Sequence, residues 1–182
     1  MARLMIAALL IATVASVSAV DSFSYESRKL GTASYYKFDA TELIGGEGGK
    51  FPEAPGETLT YKNVITAGGI HGDVIAFING YFVLTSAAAN GEEAWFEQTQ
   101  TVVFTKGPFK GSSITIAGAY AFGANPPLSI VGGTGKFAGA KGVYSAGADP
   151  DSEHAASLHF EFTTDKKIAG ASAFETIYDW LF

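Results

Sequence analysis

Side chains of the types that carry out chemistry are scarce in this 182-residue sequence. There is no cysteine, so a zinc site would have to use histidine and carboxylates alone. The three histidines are His71, His154 and His159, and no two of them have the HxxxH spacing of a helical metal site. No Gly-Xaa-Ser-Xaa-Gly nucleophile elbow occurs. The sequence therefore predicts no metal site, and it carries no local motif of a serine hydrolase.

The densest motif is a glycine-rich run at 131–142. A P-loop would need glycine where Ile130 stands and serine or threonine where Phe137 stands. A dinucleotide site would need a helix after the glycines, which Gly139 and Gly142 disfavour. Both phosphate-binding interpretations fail, and the run predicts a tight connection between two strands. Its structural residues are Gly132, Gly133, Thr134, Gly135, Phe137 and Gly142.

The composition argues against further classes of protein. The chain is 47% hydrophobic and 16% charged, so it can bury a full core, and its length suits one domain. Its net charge of -6 comes without clusters of Lys and Arg, which disfavours nucleic acid as a partner.

The N-terminus is typical of a secretory signal. An apolar run at 4–14 follows the single cation Arg3 and ends in small residues before Ala19, which predicts a signal peptide over 1–19 that is cleaved after Ala19. The run is too short for a confident membrane span, so we expect no stable membrane insertion. The sequence predicts a secreted protein, and routing to an organelle through the secretory pathway stays open.

The rest of the chain is typical of an all-β sandwich or barrel. Short segments rich in Val, Ile, Thr, Tyr and Phe are separated by turns that contain glycine. Eight strands are predicted, at 33–41, 57–65, 73–85, 94–105, 112–119, 128–131, 141–146 and 155–163. A segment at 20–32 precedes this domain of 33–163, and a tail at 164–182 carries a short C-terminal helix with apolar residues at helical spacing. The stretch 74–78 is apolar on both strand faces, which predicts a homo-oligomer.

Several segments together resemble a known family. The run 132–137, Gly-Gly-Thr-Gly-Lys-Phe, with Ala-Lys-Gly at 140–142, resembles the signature of plant dirigent proteins, a family of the allene oxide cyclase barrel superfamily. The segments 79–86, 103–107 and 111–118 are similar to the third, fourth and fifth strands of that family, and 36–39 is similar to its Tyr-Xaa-His-Asp motif. Together these segments span most of 35–162 in the family's order.

The resemblance implies an eight-stranded antiparallel up-and-down barrel, commonly trimeric, around an apolar cavity with a few polar groups. Dirigent proteins orient phenoxy radicals for stereoselective coupling, and allene oxide cyclases close a fatty-acid epoxide. Neither needs a metal or organic cofactor, so the expected cofactor is none. Both activities hold a reactive apolar molecule in one conformation, which is control by positioning.

The resemblance also implies site residues. Asp39 matches the cavity aspartate of the first strand, although Phe38 replaces the histidine before it. Lys141 stands where the family has arginine, which keeps the charge but loses the bidentate fork. The cavity glutamate and asparagine of the cyclases would fall at Lys37 and Asp39, so neither is kept. The candidate catalytic residues are Asp39 and Lys141, and the candidate ligand-binding residues are Tyr36, Asn79, Tyr81 and Tyr120.

Alternation leaves the place of Asp39 open, because it puts Lys37 and Asp39 on the face opposite Tyr36 and Phe38. Outside the barrel, Lys37 and Asp39 are a solvated pair; inside it, Asp39 acts as an acid, a base or a hydrogen-bond anchor.

Three functions follow as hypotheses. The first is a dirigent-like barrel that binds a small hydrophobic molecule, phenolic or oxylipin-like, and steers its coupling or cyclisation, with Asp39 in the cavity. The second is a non-catalytic extracellular binding or assembly barrel, and the third is an allene oxide cyclase-like isomerase.

Overall fold

The computed structural model describes residues 15–16, 25–30, 33–44, 51–89, 93–121 and 124–165, with backbone alone at 15–16. All regular structure in these ranges is strand, apart from two single-turn 3-10 helices. The strands are β1 Ala15–Ser16, β2 Tyr25–Leu30, β3 Ala33–Leu43, β4 Thr58–Ala67, β5 Asp73–Ser86, β6 Trp95–Phe104, β7 Ser113–Tyr120, β8 Leu128–Thr134, β9 Lys141–Asp149 and β10 Ser152–Thr164.

Strands β3 to β10 form a closed, eight-stranded antiparallel barrel. Each of β4 to β10 pairs with its neighbour in sequence, β10 pairs with β3, and β3 pairs with β4. The closure between β3 and β4 is short, with three residue pairs from Thr41↔Thr66 to Leu43↔Val64. The predicted fold class is therefore confirmed, and each of the eight predicted strands matches one barrel strand.

Strand β2 is an addition to the predicted elements. It pairs with the first half of β3, from Tyr25↔Phe38 to Leu30↔Ala33, so it lies on the edge that β4 leaves uncovered. Two of the predicted signal residues form β1, which pairs with Tyr25 and Glu26 of β2. The rest of the predicted signal peptide and the predicted C-terminal helix lie outside the described residues.

One end of the barrel interior is packed with aromatic rings. We call these residues the aromatic cluster: Tyr36, Phe38, Phe104, Phe109, Phe137, Phe160 and Phe162. Neighbouring ring centroids lie 4.6 to 6.1 Å apart, which is the range of favourable ring contacts. Because all seven side chains are buried, this end of the barrel is closed by hydrophobic packing.

Two similar turns plug the aromatic end. The 3-10 turn Gly107–Phe109 joins β6 to β7, and the 3-10 turn Gly135–Phe137 joins β8 to β9. In each, the sequence Gly-Xaa-Phe-Xaa-Gly inserts its phenylalanine into the aromatic cluster. The first and last glycines have positive φ angles, a conformation that L side chains rarely adopt. The glycine-rich run is thus a tight connection between strands, as its spacing predicts.

Candidate functional site: the polar end of the barrel

The opposite end of the barrel interior carries polar side chains. We call them the polar cluster: Glu42, Tyr61, Asn63, Gln98 and Gln100. They come from β3, β4 and β6, and all but the half-buried Tyr61 are buried. Strand alternation positions Glu42, because it shares the inward face of β3 with the buried Tyr36, Phe38 and Ala40.

Glu42 is held by a neighbouring strand. Asn63 Nδ2 donates a hydrogen bond of 2.6 Å to Glu42 Oε1. Burial raises the pKa of the Glu42 carboxyl above its ordinary value, and the hydrogen bond from Asn63 opposes that shift only in part. Glu42 is therefore a carboxyl group suited to hold a proton inside the barrel and to deliver it to a bound molecule.

The two glutamines and Tyr61 form a connected network. The Tyr61 hydroxyl donates a hydrogen bond to Gln100 Oε1. Gln98 Nε2 donates to the Tyr61 oxygen at 2.8 Å and to Gln100 Oε1 at 2.7 Å. Gln100 is 2% exposed, and its Nε2 forms no regular hydrogen bond among the described residues, although the buried Tyr144 hydroxyl lies close enough to interact with the amide. A buried amide nitrogen without a regular hydrogen bond is unfavourable by up to about 1–3 kcal/mol.

Glycine makes room for this network on β5. Gly80 pairs with Tyr61 on one side and with Gln100 on the other. A Cβ atom at Gly80 would lie 2.7 Å from the Tyr61 oxygen and 2.7 Å from Gln100 Cβ. Burial raises the pKa of the Tyr61 hydroxyl, so this group stays protonated and acts as a hydrogen-bond donor.

Three half-buried rings line the interior at the polar end, and we call them the mouth: Tyr61, Phe82 and Tyr120. The Tyr61 and Phe82 rings stack at 5.0 Å, and the Phe82 and Tyr120 rings lie 6.1 Å apart. The Tyr120 hydroxyl donates to Asn125 Oδ1 at 3.0 Å. Aromatic rings beside the buried Glu42 carboxyl and the buried Gln100 amide suit a flat apolar molecule that carries oxygen atoms.

The two predicted catalytic residues lie on the outer surface. The Asp39 side chain is 78% exposed and contacts His159, with 2.6 Å between Oδ1 and Nδ1. The expectation that Asp39 lies in the cavity is wrong, because Phe38 and Ala40 occupy the inward positions on either side of it. Lys141 is also exposed and pairs with Thr163 on β10. Of the described residues, neither Asp39 nor Lys141 belongs to the polar cluster.

The four predicted ligand-binding residues divide among three places. Asn79 and Tyr81 are exposed on the outer face of β5. Tyr36 lies in the aromatic cluster, where it stacks on Phe162 at 5.3 Å. Only Tyr120 lies at the mouth, beside the polar cluster.

The glycine-run residues act structurally. Gly132, Gly133 and Thr134 end β8, Gly135 opens the turn, and Phe137 fills the aromatic cluster. Gly142 lies on β9 in close contact with β10, since a Cβ atom there would be 2.5 Å from Phe162 Cα.

The polar cluster itself was missed by the sequence analysis. The two-residue period of the strand could have revealed it, because Glu42 follows Tyr36, Phe38 and Ala40 at steps of two along β3. Gln98 and Gln100 show the same period of two with Phe96 and Val102. A polar residue that continues an apolar face predicts a buried polar group, which is more informative than an exposed charge.

Burial of Glu42 predicts a dependence of stability on pH. Its folded-state pKa is raised above the ordinary value of 4.5, so the folded protein binds this proton more tightly than the unfolded chain does. Stability from this group is fully present below about 4.5 and is lost as the pH rises through the raised folded-state pKa. Urea unfolding from pH 4 to pH 8 should show this fall, and Glu42→Gln should remove it. The same fall in E42Q as in the wild type would contradict the assignment.

Within the described ranges, no group of three His, Cys, Asp or Glu side chains is placed to hold a metal ion. No helix among those residues is long and apolar enough to cross a membrane.

Comparisons with known proteins agree with the barrel. A likeness in fold is found to the pterocarpan synthase dirigent protein GePTS1, at a TM-score of 0.56 and 19% identity, covering 74% of this chain and 86% of that one. A second pterocarpan synthase dirigent protein, PsPTS1, is similar at a TM-score of 0.53 and 21% identity over 74% and 96% of the two chains. Pyocyanin demethylase is similar at a TM-score of 0.53 and 13% identity, covering 69% of this chain and 98% of that one. No curated protein matches the sequence.

At these identities the structural matches establish the fold alone. The sequence itself matches the profile of the family described as Dirigent-like protein over residues 39–164, which is well over half of the chain. That segment contains Glu42, the other four residues of the polar cluster, and both plugging turns. The chain belongs to the dirigent-like protein family.

Proposed function

We propose that this protein binds a small hydrophobic molecule, phenolic or oxylipin-like, at the polar end of its barrel and steers the stereoselective coupling or cyclisation of that molecule. The observation that carries the proposal is the polar cluster itself, where the buried Glu42 carboxyl and the buried Gln100 amide lie near half-buried aromatic rings. An oxygen of the ligand forms a hydrogen bond with the polar cluster, and its ring packs among the mouth rings.

The chemistry expected of this site is control by positioning. A reactive molecule held in one orientation closes or couples on one face, and fixing that geometry supplies several kcal/mol of the barrier. Glu42, Asn63, Gln98 and Gln100 supply hydrogen bonds without a fixed positive charge, so the ligand's buried part is neutral. Two of the proteins with this fold are named as pterocarpan synthase dirigent proteins, which supports a phenolic ligand.

Steering is tested by product stereochemistry. A phenol with a conjugated side chain, oxidised by a one-electron oxidant, couples to a racemic product in solution, and a fatty-acid allene oxide cyclises to a racemic product. We expect the purified protein to give an enantiomeric excess with one of these two substrates, measured by chiral chromatography. Racemic products from both, with no ligand retained in native mass spectrometry, would instead favour a non-catalytic barrel.

Two adjacent residues on β5 provide a test variant and a control variant for the binding site. Phe82 faces the mouth, whereas Tyr81 is 43% exposed on the outer face. Phe82→Ala removes ring contacts worth about 1 kcal/mol, so we expect it to weaken binding of the neutral fluorophore N-phenyl-1-naphthylamine about fivefold to tenfold. Tyr81→Ala should leave that affinity unchanged. Equal affinities of F82A and the wild type, measured by fluorescence titration, would place the ligand elsewhere.

Export and assembly are further parts of the proposal. The signal-like N-terminus supports secretion, and N-terminal sequencing of the exported protein should begin at Val20.

The outer wall of the barrel exposes three valines, Val103, Val131 and Val143, which are 38%, 53% and 49% exposed on strands β6, β8 and β9. Such apolar exposure on a barrel wall supports a homo-oligomer. Light scattering should give the mass of a trimer or dimer, and a monomer mass would contradict this part.

A further inference from the structure

The outer wall of the barrel carries a second cluster of reactive side chains. Asp39, His159 and Ser145 lie side by side on β3, β10 and β9, because the register pairs Asp39 with His159 and His159 with Ser145. Directly paired residues on neighbouring antiparallel strands have Cβ atoms about 5 Å apart on the same face. Three adjacent strands therefore hold an acid, an imidazole and a hydroxyl in one row.

The contact between Asp39 and His159 orients the imidazole. His159 Nδ1 lies 2.6 Å from Asp39 Oδ1, the geometry of an N–H donated to a carboxylate. Donation from Nδ1 leaves Nε2 of a neutral imidazole as the unprotonated nitrogen, which can accept a proton. Glu161 Oε2 is 3.9 Å from Nε2, beyond hydrogen-bond distance, and its side chain is half exposed. The contact with Asp39 therefore fixes the orientation of the His159 ring.

This row lines a hollow on the outside of the barrel. The hollow has a volume of about 570 Å³, which is in the range of small-molecule sites. Ser157, Gly68 and Gly69 also line it. Within the part of the chain that the structure describes, the N–H groups of Gly68 and Gly69 form no backbone hydrogen bond. The hollow thus offers a base and a hydroxyl.

We propose that this outer hollow is a second site, one that transfers the acyl group of small esters to Ser145 and then to water. Ser145 Oγ attacks the ester carbonyl carbon while its proton passes to His159 Nε2. The imidazolium returns that proton to the leaving alkoxide or phenolate oxygen, and an acyl-serine remains. Water attacks the acyl carbonyl carbon while one of its protons passes to His159 Nε2. The imidazolium then gives that proton to Ser145 Oγ as the bond between the acyl carbon and Oγ breaks, which releases the carboxylic acid and restores Ser145.

The geometry defines what substrate binding must change. Among the described residues the Ser145 hydroxyl forms no hydrogen bond, so its contact with His159 Nε2 must form when substrate binds. Catalytic hydrogen bonds that tighten when substrate binds are common in enzymes. The neighbouring hydroxyl, Ser157 Oγ, instead donates to Asp149 Oδ2 at 3.1 Å. Ser145 is therefore the available nucleophile.

The experiment uses the purified protein with p-nitrophenyl acetate and, separately, with a fluorophosphonate probe. We expect hydrolysis above the buffer rate and a single covalent adduct on the peptide that contains Ser145. Ser145→Ala should abolish the adduct and reduce the excess rate at least tenfold. Asp39→Asn should reduce the rate at least tenfold and slow the labelling, because it loses the carboxylate that orients His159.

Ser129→Ala, at an exposed serine of β8 that lies outside the hollow, should hydrolyse and label like the wild type. Thermal unfolding of S145A and D39N should remain within a few degrees of the wild type, which separates loss of function from loss of fold. No adduct on wild-type protein, an adduct at a different residue, or equal rates in S145A and wild type would overturn the proposal. The interior site is untouched by these substitutions, so failure here leaves the steering function to its own test.

Discussion

Replacing Phe137 by alanine is expected to lower the free energy of unfolding by about 3–5 kcal/mol. The Phe137 side chain is 0% exposed. Its ring centroid lies 4.8 Å from that of Phe109, 5.1 Å from Phe162, 5.3 Å from Tyr36 and 5.4 Å from Phe104. The substitution would leave a cavity among rings that belong to four different elements, where no single side chain can move in to fill it.

Chemical denaturation measures this effect, with Val131→Thr as the control. Val131 lies on β8 a few residues before Phe137, but it is 53% exposed, and threonine keeps its β-branched shape. The control is expected to change stability by no more than about 0.5 kcal/mol. If F137A and V131T had the same unfolding midpoint, Phe137 would not be a plug of the aromatic end.

The number and order of strands follow from local sequence. Each barrel strand is a run of β-branched and aromatic residues between turn residues, so its existence can be predicted without knowledge of its partners. Strand β2 breaks this rule. Its sequence, Tyr-Glu-Ser-Arg-Lys-Leu, is largely polar, and the strand forms because the first half of β3 has a free edge there. A strand that depends on a distant edge leaves no local pattern.

The position of Asp39 shows that alternation alone does not decide which face of a strand is buried. Alternation separates the two faces of β3, but which face is inside depends on the sum of all side chains on each face. Tyr36, Phe38 and Ala40 outweigh Asp39 and the half-exposed Lys37, so the barrel buries the even-numbered face. Glu42 is buried with that face. The burial of Glu42 could have been predicted from that face, whereas the hydrogen bond from Asn63 depends on the register between β3 and β4.

The same reasoning explains the low charge of the chain. About half of the positions on each barrel strand face inward, where an unpaired charge is unfavourable, so few of them carry charged residues. Among the described interior positions, Glu42 is the one carboxylate, and the remaining polar groups there are neutral amides and hydroxyls. One acid among neutral donors favours chemistry in which a single proton moves. It disfavours chemistry that builds up a full charge without a partner.

Glu42→Gln is therefore expected to slow a cyclisation at the polar end about 100-fold or more at a pH below the raised pKa of Glu42, while ligand binding changes little. Glutamine keeps the shape of the side chain, and its carbonyl oxygen can still accept from Asn63 Nδ2, but it cannot deliver a proton. The wild-type rate should also fall as the pH rises through the raised pKa of Glu42, since only the protonated carboxyl donates.

Glu97→Gln makes the same chemical change one residue away from Gln98, on the exposed face of β6, and should keep the wild-type rate. Single-turnover kinetics and fluorescence titration with N-phenyl-1-naphthylamine separate rate from affinity. A normal rate in E42Q with an unchanged enantiomeric excess would show that the barrel guides its ligand by shape and hydrogen bonds alone. A rate that falls together with affinity would make Glu42 part of the binding surface instead of a proton donor.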